Sequence, residues 1–194
     1  MKIYFLRHTR VDVPAGICYG ATDVPLAETF ESEAADVLDK LPDRFDQIYT
    51  SPLSRCQRLA TKVQATLGGS LTRDERLKEY DFGVWEMRPW AEIQGEVASA
   101  WYADFVNSSA PGGESYKQLF DRATPFWEEI IALKTSHSPP ELIHIVSHAG
   151  VIRALLSQIL EIPLRNVFNL TIAYGGLVAC TVFDQHVQVE QVNG

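Results

Sequence analysis

Two apolar runs of this sequence stop abruptly at a histidine. Lys2-Ile3-Tyr4-Phe5-Leu6-Arg7 leads into His8, and Leu142-Ile143-His144-Ile145-Val146-Ser147 leads into His148. A third run, Gln47-Ile48-Tyr49-Thr50, passes through Ser51-Pro52 to Arg55, and a weaker fourth, Ser70-Leu71-Thr72-Arg73, is followed by Glu75, Glu79 and Asp81. If each run is a strand, two histidines, two arginines and a carboxylate gather at one sheet edge, where open α/β sheets bind ligands. Those residue types suit phosphoryl transfer through a covalent intermediate. A neutral imidazole is a good nucleophile near neutral pH, and two easier steps replace one difficult one. Guanidinium forks and a second, protonated histidine can hold the charge spread over the transferred group. A leaving alkoxide needs a proton, which a carboxylic acid of raised pKa could supply.

Positioning such a set requires strands that alternate with helices, and the pattern predicts them. Ser51-Pro52 reads as an N-cap and first-turn proline, after which Leu53, Cys56, Leu59, Ala60, Val63 and Leu67 recur at helical spacing until Gly68-Gly69. Gly150 to Leu160 reads as a buried helix, Phe30 to Leu41 as a weaker one, and Ser115 to Lys134 as a long one that Pro125 kinks or divides. Leu177 to Phe183 and Val187 to Val192 resemble a β-hairpin around Asp184-Gln185-His186. The stretch from about 80 to 111 carries three of the four tryptophans and no clear strand, and is expected to be a mostly helical excursion. The fold expected is a three-layer α/β/α sandwich with a mostly parallel central sheet and a helical lid insertion, all in a single domain over 1–194.

Composition narrows the function classes. The 194 residues are 46% hydrophobic and 22% charged, an ordinary globular balance. A net charge of −8 argues against nucleic acid, whose phosphates demand a basic footprint. No apolar run has the roughly 18 residues of a membrane span, and the N-terminal run reads as a strand rather than a signal peptide. Three widely separated cysteines, Cys18, Cys56 and Cys180, fit reduced thiols in a cytoplasmic setting. His144 and His148 stand four apart, a metal-pair spacing only on a helix, and this segment reads as strand. No metal or cofactor is expected. Arginines at particular turns of an acidic chain (Arg7, Arg10, Arg55 and Arg153) suit a small anionic partner.

Several segments resemble the histidine phosphatase (phosphoglycerate mutase-like) superfamily. Leu6-Arg7-His8 is similar to its nucleophile motif, and Ser51-Pro52-Leu53-Ser54-Arg55-Cys56-Gln57-Arg58 to the motif whose arginine grips phosphate. Leu77 to Glu86 resembles the segment carrying the acid/base glutamate, Pro111-Gly112-Gly113-Glu114-Ser115 a Gly-Glu-Ser turn, and Val146 to Arg153 the last motif, with the second histidine. The resemblance implies His8 as nucleophile, His148 as second catalytic histidine, Arg7 and Arg55 as phosphate ligands, and Glu79 as proton donor and acceptor. On the residues alone Glu75, Asp81 and Glu86 remain rivals to Glu79. Thr9-Arg10-Val11-Asp12 departs from the family's usual glycine and asparagine after the nucleophile, and Arg10 is the candidate for the missing donor. Met87 also stands where glycine is usual. The Thr9 variant, with Ile17 to Leu26 downstream, is similar to a branch of α-ribazole phosphatases, enzymes of cobalamin nucleotide-loop assembly. What this implies is a metal-independent phosphomonoesterase acting on α-ribazole 5′-phosphate, with a broad-specificity sugar-phosphate or nucleotide phosphatase as the alternative. A phosphoglycerate mutase, or a non-catalytic phosphoester-binding module, fits less well. Trp85, Trp90, Trp101 and Tyr102 wall the substrate pocket or pack the core.

Overall fold

In the computed structural model, which describes residues 1–184 and 186–194, all four apolar runs form strands with the bounds read above. In chain order the elements are β1 (Lys2–Arg7), β2 (Ile17–Cys18), α1 (Phe30–Leu38), β3 (Gln47–Thr50), α2 (Ser54–Leu67) and β4 (Ser70–Arg73). Then come β5 (Arg88–Pro89), α3 (Glu96–Ala103), α4 (Tyr116–Ala132), β6 (Leu142–Ser147), α5 (Ala149–Ile159), β7 (Leu177–Val182) and β8 (Val187–Val192). Of the expected turn between β7 and β8, Gln185 lies outside the described residues.

The six-stranded sheet runs β4-β3-β6-β1-β7-β8. β4, β3, β6 and β1 are parallel, and β7 and β8 are antiparallel additions at one side. Side-chain alternation sends Ile3, Phe5, Ile143 and Ile145 to one face, where they join the buried faces of α4 and α5. Leu6, Ile48 and Val146 face the other way, onto α1 and α2. Each of these fully buried side chains contributes roughly 1.5–3 kcal/mol relative to exposure. Burial on both faces explains why the central strands β1 and β6 read as continuous apolar runs, whereas the edge strand β4 is mostly exposed and left a weaker trace. The expected three-layer α/β sandwich is the observed one.

Register positions the site. Arg7 pairs with Ser147 across β1 and β6, so the residues that follow, His8 and His148, leave neighbouring strands at the same level. Thr50 pairs with Val146, which puts Ser51 beside them.

Three local expectations are corrected. Helix α2 begins at Ser54, later than a Ser51 cap requires: the Ser51 hydroxyl accepts from the Leu53 N–H at 3.3 Å and meets His148, and Asp23 Oδ1 accepts from the Ser54 backbone N–H at 2.9 Å. Pro125 does not divide α4. A Ser115/Gln118 capping box starts the helix and one buried stripe (Leu119, Ala123, Phe126, Trp127, Ile130) runs past the proline, whose missing N–H falls on the exposed side. The 80–111 excursion contains a strand after all: β5 pairs antiparallel with β2 through two residues each. Its remainder is short 3₁₀ turns and α3, and Trp85 and Trp101 are buried in the same cluster as Ile3 and Ile145.

Candidate active site

His8 follows β1 and is 1% exposed. Its Nδ1 lies 2.8 Å from the Thr9 carbonyl. A carbonyl only accepts, so Nδ1 carries the proton and the lone pair of the neutral ring is on Nε2. Burial, followed by the charges of Arg55 and Arg7, holds the His8 pKa well below its ordinary value, with the Thr9 bond opposing. The ring is therefore neutral near pH 7, with one nitrogen anchored and the other available.

His148 precedes α5, with its ring centroid 5.1 Å from that of His8. Arg55 Nε donates to His148 Nδ1 at 3.3 Å, so its proton sits on Nε2, 2.8 Å from the Ser51 hydroxyl. Burial, Arg55, His8, Arg7 and Arg122 all push its pKa down. Burial first, and then the neighbouring guanidinium charges, thus favour the neutral ring over the expected protonated second histidine.

Arg55, the second residue of α2, is fully buried. Nη1 donates to the Thr22 carbonyl and Nη2 to the Gly20 carbonyl, both at 2.7 Å. With Nε on His148, three of the five guanidinium N–H groups are used and two are left. Arg7 donates from Nη1 to the Ile172 carbonyl at 2.7 Å and stacks 3.7 Å over the Tyr174 ring, while its buried Nε has no partner among the described residues. Neither arginine pairs with a carboxylate among the described residues. Removing a cation from water without a counter-anion costs several kcal/mol, so such a pair is arranged for an anion that arrives. Tyr174 also lies 5.6 Å from His8, and its hydroxyl meets that of Tyr19 at 2.8 Å, with Tyr19 in turn beneath Arg55.

The carboxylates sort themselves by partner. Glu79 accepts from the backbone N–H of Tyr80 at 2.9 Å and of Gly150, at the N-terminus of α5, at 3.2 Å. A Cβ at Gly150 would stand 2.3 Å from Glu79 Oε1, so only glycine admits the carboxylate there. Glu75 is tied to Lys78 on the surface, Asp81 caps its own turn through Gly83 N–H at 2.8 Å, and Glu86 binds the loop 21–22. Glu114 of the Gly-Glu-Ser turn grips Arg122, which donates to the Glu79 carbonyl at 3.0 Å and so fixes that segment from behind.

A family model described as the histidine phosphatase superfamily (branch 1) matches residues 3–194. This chain belongs to that superfamily. It is 26% identical over its whole length to the adenosylcobalamin/α-ribazole phosphatase of Salmonella typhimurium, covering 96% of that protein. It is 29% identical over 91% of its length to a protein of Hydrogenobacter thermophilus proposed to be a phosphoserine phosphatase, covering 87% of it. The crystal structure of the α-ribazole phosphatase of Shigella flexneri matches the fold with a TM-score of 0.89 at 24% identity, over all of this chain and 96% of that one.

Not every candidate of this histidine phosphatase chain reaches the site. Arg10 is corrected: its exposed side chain pairs with Glu33 Oε1 at 3.5 Å, on a segment, residues 10–12, that runs antiparallel to 25–27. Arg153 donates to the Leu170 carbonyl and lies over Phe168. Trp85 and Trp101 pack the core, Trp101 donating to the Tyr80 hydroxyl at 3.0 Å; Trp90 stacks on Trp101, and Tyr102 is exposed. Met87 adopts the left-handed φ of 63° that the usual glycine would, so the turn is kept. Sequence reasoning missed Ser51 as a partner of His148, the Tyr19–Tyr174 pair, Gly150 and Arg122. Of these only Gly150, inside His148-Ala149-Gly150, left a signal.

Proposed function

We propose that the protein is a phosphomonoesterase that works through phosphohistidine at His8. The observation that carries this is the state of the His8 ring: neutral, its Nδ1 proton held by Thr9, its Nε2 lone pair free, beside two arginines without a counter-anion. In the first step the Nε2 lone pair forms a bond to phosphorus and the bond from phosphorus to the leaving oxygen breaks. Arg7 and Arg55 hold the equatorial oxygens, and His148, oriented by Arg55 and Ser51, donates to them once the dianion has offset the local positive charge. Glu79 delivers a proton to the leaving oxygen. In the second step water attacks phosphorus, Glu79 takes its proton, and His8 is restored with release of inorganic phosphate. Residues 80–111 act as the lid over this chemistry within a single domain.

The substrate we favour is α-ribazole 5′-phosphate, on the full-length likeness to the Salmonella typhimurium enzyme. A cleft of about 270 Å³ beside Glu79 favours a second reading. It is lined by Glu75, Lys78, Asp81, Glu114 and Arg122, polar groups that suit a small polar leaving group, and the likeness to the Hydrogenobacter thermophilus protein points to serine as that group. Steady-state kcat/KM for α-ribazole 5′-phosphate, phosphoserine and a panel of sugar and nucleotide monophosphates tests both. A clear preference for the ribazole ester supports the first reading, a preference for phosphoserine the second. Saturable binding without product on every ester, including an aryl phosphate, overturns the enzyme itself.

A further inference from the structure

Glu86 belongs to the 80–111 excursion, yet its carboxylate is built into the floor of the site. Oε1 accepts from the backbone N–H of Ala21 at 2.8 Å and of Phe82 at 3.0 Å. Oε2 accepts from the Thr22 N–H at 2.7 Å and from the Thr22 hydroxyl. The peptide unit between Gly20 and Ala21 is consequently held at both ends: its N–H points to Glu86 and its carbonyl to Arg55 Nη2 at 2.7 Å. Thr22 is also held from both sides, though through two successive peptide units: its N–H donates to Glu86, and its carbonyl accepts from Arg55 Nη1. Gly20 is what permits this approach. Its φ is +42°, and a Cβ there would stand 2.4 Å from Glu86 Oε1.

We propose that Glu86 is the positioning residue of Arg55, acting through the Gly20–Ala21 peptide and the Thr22 backbone; this deepens the proposed function and rests on Arg55 as a phosphate ligand. An anion, an aligned peptide dipole and a cation lie in series, so each hydrogen bond polarises the next. The separation matters. A carboxylate bonded directly to Arg55 would neutralise the guanidinium and compete with phosphate for its forks. Set back by one peptide, Glu86 fixes two of the three anchors of Arg55 and leaves two N–H groups and the positive charge to the substrate. The excursion and the sheet edge are thereby coupled, since a carboxylate from one sets a cation in the other.

The test is a double-mutant cycle in the full chain with Glu86→Gln and Arg55→Met, reading kcat/KM on an aryl phosphate and the dissociation constant of vanadate, with thermal unfolding as the control for folding. Glutamine keeps the volume but turns an N–H donor toward the N–H groups of loop 20–22. Loss of guanidinium placement is expected to cost roughly 10²-fold in kcat/KM, with weaker vanadate binding. In the Arg55→Met background the same Glu86→Gln change is expected to add less than about threefold, because the group it positions is gone. Thr22→Val, which removes only the hydroxyl contact, is expected to show a smaller loss with the same dependence on Arg55, and serves if Glu86→Gln does not fold. An equal penalty in both backgrounds, or none in either, overturns the proposal. If Arg55→Met alone leaves kcat/KM and vanadate affinity intact, the assignment of Arg55 fails and takes the proposal with it, a result distinct from the first.

Discussion

A buried histidine outside the proposed chemistry makes the sharpest prediction about stability. His144 lies on β6 with no solvent exposure, its ring stacked on Phe45 at 4.8 Å, and neither ring nitrogen has a hydrogen-bond partner among the described residues. Burial alone lowers its pKa from 6.5 to about 3. The unfolded chain therefore binds a proton that the folded chain refuses throughout that interval, and stability falls as pH drops below 6.5. For one group with these two values, linkage gives a loss of about 2 kcal/mol on going from about pH 8 to about pH 5. His8 and His148 contribute with the same sign, so the isolated effect must be read as a difference. Urea unfolding of the wild type and of His144→Leu at both pH values supplies it. The variant is expected to lose about 2 kcal/mol less than the wild type over the interval, and to be at least as stable at about pH 8, because leucine buries no unsatisfied nitrogen. Equal pH dependence in the two proteins would refute the reasoning, by showing that His144 is solvated or protonated in the fold.

The other predictions concern the site and one turn. His8→Ala is expected to fold and to show no turnover, while acid-labile phosphate trapped from labelled substrate on the wild-type protein maps to His8; a fully active variant sinks the mechanism. Because the His8 pKa is depressed, kcat/KM, corrected for the second ionisation of the phosphate ester, is expected to stay level as pH falls through 6.5 and to drop only below it; an acid limb centred on 6.5 would place His8 in water. Glu79→Gln is expected to slow phosphorylation by alkyl phosphates by roughly 10²–10⁴-fold and by a nitrophenyl phosphate far less, measured in the pre-steady-state burst. A common small factor for both esters would remove Glu79 as the acid. Met87→Gly, which relieves a non-glycine φ of 63°, is expected to raise stability by roughly 1 kcal/mol in thermal unfolding, and a destabilised variant would show that the Met87 side chain contributes packing.

Much of the fold could be read because central parallel strands buried on both faces, β1 and β6, leave unbroken apolar runs. β3 alternates and the exposed edge strand β4 gave only a weak signal, yet both end where their short runs end. β2 and β5 left no such trace, since two residues cannot display a period and their pairing is set by the loops that bring Cys18 to Arg88. The start of α2 was misplaced for a different reason. Ser51-Pro52 has the composition of a helix cap, but a serine hydroxyl takes the partner that tertiary structure offers, and His148 was 97 residues away in the sequence. Pro125 misled in the opposite direction: a proline on the exposed side does not divide a helix that a buried stripe on both sides keeps whole.

Legibility of the site followed the same division between what a strand end determines and what a loop determines. His8 and His148 stood out because each follows directly on an apolar run, and the structure brings them together because β1 and β6 are neighbours in register. Arg10 was misread because its partner is set by a loop: the Val11–Leu26 bridge leaves its guanidinium beside Glu33, which no local pattern announces. Arg55 was found, but the features that define its state could not be: the carbonyls of Gly20 and Thr22, the ring of Tyr19 and the distant Glu86. Their effect depends on which side of a peptide faces the guanidinium. Arg122 shows the contrast, being equally basic and partly buried but neutralised by Glu114 at 2.7 Å, and so unavailable to an anion. Whether an arginine binds substrate is decided by what else has already bound it. Among the described residues of the site, the two arginines left without a carboxylate, Arg7 and Arg55, are those whose charges act on His8.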